Sequence, residues 1–501
     1  MSQTIQLKEN GLELIRQMDS RLVSYNIEMT EVTGGTFWKA YTDAQIDGTE
    51  EFPVISDWKN MAKLQQVYEP VDLYHPRLRK LAKELGSAWV RVSGTWANKT
   101  YYDFDGHTNG VVPEGFQNLL TKEQWTGVLD FVKAVDGKLL ISVANCPGIH
   151  SADEPWNPEQ TKLIFDYSRK YGVPIEAVEF TNEPNMMAMS GLPAGYTTDD
   201  FCRDHDLFCS FVRENYPETL LVGPCTCGDI PAGILNMGGE DNVGGGIASA
   251  LEIVTTDQLI GNGKEKLDVF SYHYYNGISE RGAAMGGHWD FENVLTDQYL
   301  GIAKACANYY TSVRDKYVPG GQMWVTESGD AGCGGNTWAP TYADVPRTLN
   351  ELGDFSTVTD GVIFHNTLCS SAYGFLNHGD FMPRPNYFAV LLWNRLMGQD
   401  VYRTNIAEEG AHVFAHSRKD GKEGVAYLII NNSKTEATTV ELPKTAEVFV
   451  LEGQDKFRSR VMTLNGAPLV LGENDELPDL VPVTVESTFD LAPTACAFVM
   501  V

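Results

Sequence analysis

Short runs of β-branched, aliphatic and aromatic residues recur along the first four hundred positions. Each closes on polar or glycine-rich residues, and each is followed by ten or more residues with apolar positions at helical spacing. The pattern predicts strands over residues 22–27, 88–93, 139–145, 177–181, 220–224, 267–272, 323–326 and 361–366. Helices are predicted over 76–85, 122–135, 158–171, 199–215, 297–317, 343–355 and 387–397. Thr121, with Gln124 three residues on, has the form of a capping box that starts the helix at Lys122.

Eight strands alternating with helices imply an α/β architecture, a (β/α)8 TIM barrel rather than an open doubly wound sheet. No G-x-G-x-x-G follows an early strand, which removes support for a dinucleotide fold. After Gly398 the period switches to alternation without long helices, over 412–416, 425–431, 438–442, 447–451, 482–487 and 495–501. That predicts a C-terminal antiparallel β-sandwich domain. The expected organisation is an N-terminal strand in 1–18 that pairs with the sandwich, a catalytic barrel over 19–398 and the sandwich over 399–501.

Composition narrows the function classes. With 501 residues, 43% hydrophobic and 21% charged, the chain can bury a large core. Its net charge of −29 repels nucleic acid and anionic membranes at long range. No stretch approaches 18 apolar residues, and the first twenty hold no signal-peptide core, so a soluble, cytoplasmic protein is expected. Nine cysteines scattered from Cys146 to Cys496 fit reduced thiols. Cys225 and Cys227 form a C-x-C pair with no second pair at zinc spacing, so neither a metal nor a cofactor is expected. The oligomeric state is not legible.

Two carboxylates stand where barrel strands meet the catalytic rim. Glu183 lies in Thr181-Asn182-Glu183-Pro184-Asn185 beyond the fourth strand, and Glu327 in Trp324-Val325-Thr326-Glu327-Ser328 at the end of the seventh. Each alone is as readily a strand cap or an arginine partner. As a pair on facing strands they match glycoside hydrolysis with retention, in which one acid protonates the leaving oxygen and a carboxylate about 5 to 5.5 Å away attacks the anomeric carbon.

The Asn-Glu-Pro element after strand four with a glutamate ending strand seven resembles the clan of retaining glycosidases on a (β/α)8 barrel. Val92-Ser93-Gly94-Thr95, Tyr272-His273-Tyr274-Tyr275-Asn276-Gly277, Gly334-Gly335 and Pro383-Arg384-Pro385-Asn386-Tyr387-Phe388 further resemble the heparanase and β-glucuronidase family, glycoside hydrolase family 79. The resemblance implies Glu183 as general acid/base and Glu327 as nucleophile, with Asn182 on the sugar 2-hydroxyl. It also implies Tyr274 as the phenol beside the nucleophile; the alternative is a core aromatic on the sixth strand, where alternation puts Phe270, Tyr272 and Tyr274 on one side and His273 and Tyr275 on the other. Glu28 and Thr95 match positions that touch sugar hydroxyls; rim salt bridges or loop caps are the alternative for them.

In that family the sugar carboxylate is held by backbone N–H groups of a glycine-rich loop after the nucleophile and by tyrosine hydroxyls. Here this implies Gly334 and Tyr373. The chain departs from the family at Gly332, where a tyrosine is usual. Trp96, Trp156, Trp289 and Trp338 in βα loops are either stacking platforms or loop pins. The resulting expectation is an exo-acting β-glucuronidase that cleaves small-molecule glycosides by double displacement. The alternatives are a β-xylosidase, β-glucosidase or arabinofuranosidase on the same barrel, or a non-catalytic carbohydrate-binding barrel.

Overall fold

A computed structural model describes residues 3–231, 252–407 and 409–501. Eight parallel strands close into a barrel: β1 (Val23–Glu28), β2 (Trp89–Ser93), β3 (Lys138–Ser142), β4 (Ala177–Glu179), β5 (Leu220–Cys227), β6 (Val269–Tyr275), β7 (Met323–Gly329) and β8 (Ile363–His365). Each pairs with the next in sequence, and β8 closes on β1 with Ile363 opposite Val23. All eight lie where the hydropathy pattern places them.

Side-chain alternation makes the barrel interior chemically layered. The floor is apolar, with Trp89, Leu140, Ala177, Val222, Val269, Trp324 and Phe364 packed together. Two residues further along the same inward faces, Arg91, Glu179 and Ser271 replace them, all fully buried. One more step brings Ser93 on β2 and His273 on β6 toward the rim. The outward faces, such as Val90, Val92, Phe270 and Tyr272, join the core shared with the surrounding helices.

The helix Lys122–Ala134 starts with the capping box read from Thr121 and Gln124. The segment read as one helix over 297–317 is two, Asp297–Leu300 and Ile302–Tyr317, meeting at Gly301. Two short strand pairs in the βα loops carry no periodic signal: Gly35–Trp38 with Gln65–Tyr68, and Thr100–Asp103 with Asn118–Thr121.

Beyond the barrel, β9 (Met397–Arg403), β10 (His412–Arg418), β11 (Val425–Ile430), β12 (Thr438–Glu441) and β13 (Ala446–Gly453) continue the chain. After them come β14 (Met462–Leu464), β15 (Ala467–Pro468), β16 (Val483–Val485), β17 (Thr488–Leu491) and β18 (Cys496–Met500). The larger sheet runs from the N-terminal strand Glu13–Gln17 through β9, β10, β11, β18, β13 and β14 to β15, with β16 also paired to β13. A second sheet joins Gln3–Gln6, β12 and β17. Along β11, Tyr427 and Ile429 face the small sheet while Leu428 and Ile430 belong to the core shared with the barrel. The Tyr342 hydroxyl, just ahead of helix Val345–Val358, donates to the Leu451 carbonyl on β13 at 2.7 Å and ties barrel to sheet. Residues 1–2, 232–251 and 408 of the predicted spans lie outside the described residues. Among the described residues no helix is long and apolar enough to cross a membrane.

Candidate active site

Arg91, buried at the centre of the barrel mouth, organises the rim. Its Nε donates to Glu179 Oε2 at 2.9 Å, one terminal nitrogen to Glu327 Oε2 at 3.3 Å and the other to Asn182 Oδ1 at 2.7 Å. The second terminal nitrogen also lies 3.3 Å from His273 Nε2. A guanidinium has donors only, so Nε2 is the accepting nitrogen of a neutral imidazole, and burial indeed drives the His273 pKa down to about 4. Nδ1 then carries the proton and donates to Glu183 Oε1 at 2.9 Å. One carboxyl oxygen of Glu183 is thereby held as an acceptor, and the other is left to carry a proton.

One carboxylate oxygen each of Glu183 and Glu327 and one ring nitrogen of His273 lie within 4.8 Å of one another, so the two carboxylates that are distant in sequence share one gap. Glu183 takes a left-handed backbone, φ 45°, and is followed by Pro184, which cannot extend β4. Asn185 fastens the turn to β5: its Oδ1 accepts from the Cys227 N–H at 3.0 Å and its amide donates to the Cys227 carbonyl at 2.9 Å. Burial raises the Glu183 pKa to about 7, opposed by the Cys227 thiol and the Arg91 charge.

Glu327 accepts from the Tyr275 hydroxyl at 2.5 Å, and Asn366 Nδ2 lies 3.3 Å from the same oxygen. Asn366 Nδ2 is also 3.0 Å from Tyr275 Oη and 3.3 Å from Tyr373 Oη. The phenol on the nucleophile candidate is therefore Tyr275, a correction to the expectation for Tyr274. Tyr274 points outward from β6, buried, with its hydroxyl on Asn276. Alternation explains the exchange, since His273 and Tyr275 share the inward face.

Asn182 sits beside Glu183 with its Oδ1 engaged by Arg91; its amide N–H groups have no partner among the described residues. Glu28 ends β1 buried, and its Oε2 is enclosed with no hydrogen bond. Burial and the Glu327 charge hold its pKa well above the ordinary range. Gly94 makes room for it: at φ 93°, a Cβ there would lie 1.6 Å from Glu28 Oε2. Thr95 follows, half-buried. Tyr373 is buried beside Tyr275, ring centroids 6.4 Å apart, on a segment held by Arg384, which donates to the Ala372 and Gly374 carbonyls at 2.7 and 3.0 Å.

The loop after β7 turns through three left-handed residues, Cys333, Gly334 and Gly335. The Gly334 carbonyl accepts from Ser371 Oγ at 2.9 Å, while the N–H groups of Cys333 and Gly334 have no partner among the described residues. Trp156, Trp289 and Trp338 are buried, the first two with their indole N–H on backbone carbonyls, and serve as loop pins; Trp96 is half-exposed against Phe37.

Arg91, Glu179, His273 and Asn366 do not stand out in the sequence as site residues. For Arg91 and Glu179 the signal is a charge in the middle of an apolar strand. Glu183, His273 and Glu327 also have the donor set of a cation site, but the Arg91 guanidinium already supplies the positive charge there. Because Arg91 and Glu179 are both fully enclosed, Arg91→Met is expected to strand a buried carboxylate and lower unfolding free energy by about 3–5 kcal/mol, read by urea denaturation.

No family model matches the chain. It is 24% identical over 488 residues to heparanase-like protein 1 of Arabidopsis thaliana, spanning 86% of this chain and 84% of that protein. It is likewise 24% identical over 475 residues to the baicalin-β-D-glucuronidase of Scutellaria baicalensis, spanning 86% and 83%. In fold it resembles a 4-O-α-L-rhamnosyl-β-D-glucuronidase of Fusarium oxysporum 12S, with TM-score 0.67, 13% identity, and 99% and 100% of the two chains covered.

Proposed function

We propose that this chain, a glycoside hydrolase similar to heparanases and β-glucuronidases, is a retaining exo-β-glucuronidase acting on small glucuronides. The observation that carries the reading is the single gap shared by Glu183 and Glu327, one oxygen of each within 4.8 Å of the other, which supports the close spacing of a retaining pair over the wider one of an inverting pair.

In this reading Glu327, oriented by Tyr275, Asn366 and Arg91, attacks C1 from the α face. Glu183 gives its proton to the departing aglycone oxygen, and the C1–O bond breaks as the C1–Oε bond forms. The free amide of Asn182 donates to the 2-hydroxyl. Once Glu327 is esterified it no longer neutralises Arg91, and the unbalanced guanidinium lowers the Glu183 pKa. Glu183 then takes a proton from the incoming water, which attacks C1 and releases Glu327.

Two features support a uronate. The unpartnered N–H groups of Cys333 and Gly334 lie in a left-handed turn of the kind that binds anions, and Tyr373 closes the same side of the site. Glu28 ends β1 beside Glu327 with one carboxyl oxygen unpartnered, a group that can meet a sugar hydroxyl. All nine cysteines are free thiols, which favours a reducing compartment.

The test is a panel of p-nitrophenyl glycosides. β-D-Glucuronide is expected to exceed β-D-xyloside, β-D-glucoside and α-L-arabinofuranoside by about 100-fold or more in kcat/KM, because unpaired anion donors penalise a neutral C5 substituent. NMR of the first-formed sugar should show the β anomer. Comparable rates on a neutral glycoside would overturn the uronate assignment, and an α product would overturn retention.

A further inference from the structure

Arg281 is a buried charge that no carboxylate touches among the described residues, although the Glu280 charge reaches it. It is 2% exposed and, among the described residues, makes no ion pair; the one hydrogen bond its guanidinium makes there runs from a terminal nitrogen to the Lys39 carbonyl at 2.6 Å. Its guanidinium lies over the Tyr41 ring, 3.7 Å from the centroid, and burial lowers its pKa. An arginine enclosed this far normally faces a carboxylate, because an uncompensated buried cation is costly.

The turn that carries it is stitched to the loop after β7 at Gly332. Gly332 N–H donates to the Gly277 carbonyl at 2.9 Å, and Ser279 N–H donates to the Gly332 carbonyl at 3.1 Å. Glu280 N–H donates to Asn336 Oδ1 at 2.9 Å, and Thr337 N–H to Glu280 Oε2 at 2.7 Å, which occupies the neighbouring acid. Tyr41, under the guanidinium, packs in one cluster with Tyr373, Trp38 and Tyr275. Cys333, the first residue of the left-handed turn, lies within the fields of both Arg281 and Glu183. The unpaired cation thus stands behind the turn whose N–H groups are free.

We propose that Arg281 is a specificity-determining residue whose positive charge, acting across the Cys333–Gly334 turn, makes the pocket select a glycone bearing a carboxylate at C5. The bound sugar carboxylate is then the counter-ion that no described residue supplies in contact with the guanidinium. The inference rests on the uronate reading and assigns its charge selectivity to one side chain outside the catalytic gap.

The experiment compares Arg281→Gln, which keeps a planar donor over Tyr41, and Arg281→Lys, which keeps the charge, with the parent. The substrates are p-nitrophenyl β-D-glucuronide, the matching β-D-glucoside, and an aryl β-D-glucoside with a sulfonate on the aglycone. In Arg281→Gln, kcat/KM on the glucuronide is expected to fall about 30-fold, mostly through KM, with the plain glucoside within about threefold. Arg281→Lys should retain the greater part of the selectivity. Equal losses on all substrates would assign Arg281 to holding the 39–55 loop and overturn the proposal, as would unchanged selectivity in folded Arg281→Gln. A loss confined to the sulfonated glucoside would move the anion to the aglycone side and also overturn it. Should Arg281→Gln fail to fold, Arg281→Lys decides: collapse of its glucuronide preference overturns the inference. If the parent itself prefers the neutral glucoside, it is the uronate reading that falls.

Discussion

Glu327→Gly is expected to lower hydrolysis of aryl β-glucuronides by about five orders of magnitude while leaving the protein folded. The loss is large because no neighbouring group can replace the carboxylate: Tyr275 and Asn366 are donors aimed at it, and Arg91 is a cation. Folding should survive because Arg91 keeps Glu179 as a partner and water can fill the vacated space at the mouth. Azide is small enough to enter that space and attack C1 from the α face, while Glu183 still protonates the leaving group. Turnover of an activated glucuronide should therefore recover in azide and yield the α-glycosyl azide. A 2-deoxy-2-fluoro glycosyl fluoride should add its glycosyl mass to Glu327 in the parent, read by peptide mass spectrometry. A folded variant within tenfold of the parent, or an adduct on another residue, would remove Glu327 from the mechanism.

Legibility divides along physical lines. The barrel strands are readable because a strand buried on both faces must be apolar along its length, as in Leu139, Leu140 and Ile141. The acids are readable because each sits at a break in such a run. The network between them is not, because Arg91, Glu179 and His273 are joined only when β2, β4 and β6 close into a ring. The exchange of Tyr274 for Tyr275 has a different cause. Motif resemblance fixes a neighbourhood, whereas facing is a matter of parity, and His273 and Tyr275 have the inward parity. The rim pair Gly35–Trp38 with Gln65–Tyr68 escapes because it is too short to show a period, yet its Trp38 packs on Gly334 and its neighbour Lys39 receives Arg281.

Removing the proton donor should give a result that depends on the leaving group and on pH. In Glu183→Ala, a 2,4-dinitrophenyl glucuronide needs no protonation to depart, so its kcat/KM should fall by about tenfold or less. Phenyl and alkyl glucuronides should lose about 10³- to 10⁴-fold. The parent requires Glu183 protonated in its first step. With that pKa raised to about 7, the active fraction is full well below neutrality and falls toward tenfold per unit as pH rises past about 7. His273 stays neutral across this range because its own pKa is near 4, so it cannot supply the limb. The alkaline limb for poorly activated substrates should therefore be present in the parent and vanish in Glu183→Ala. With the base gone, the glycosyl-enzyme on Glu327 accumulates, and azide should intercept it from the β face to give the β-glycosyl azide, the anomer opposite to that from Glu327→Gly. The two azide products test the assignment jointly: the same anomer from both variants, or an alkaline limb that persists without Glu183, would mean that the two carboxylates do not divide the work in this way.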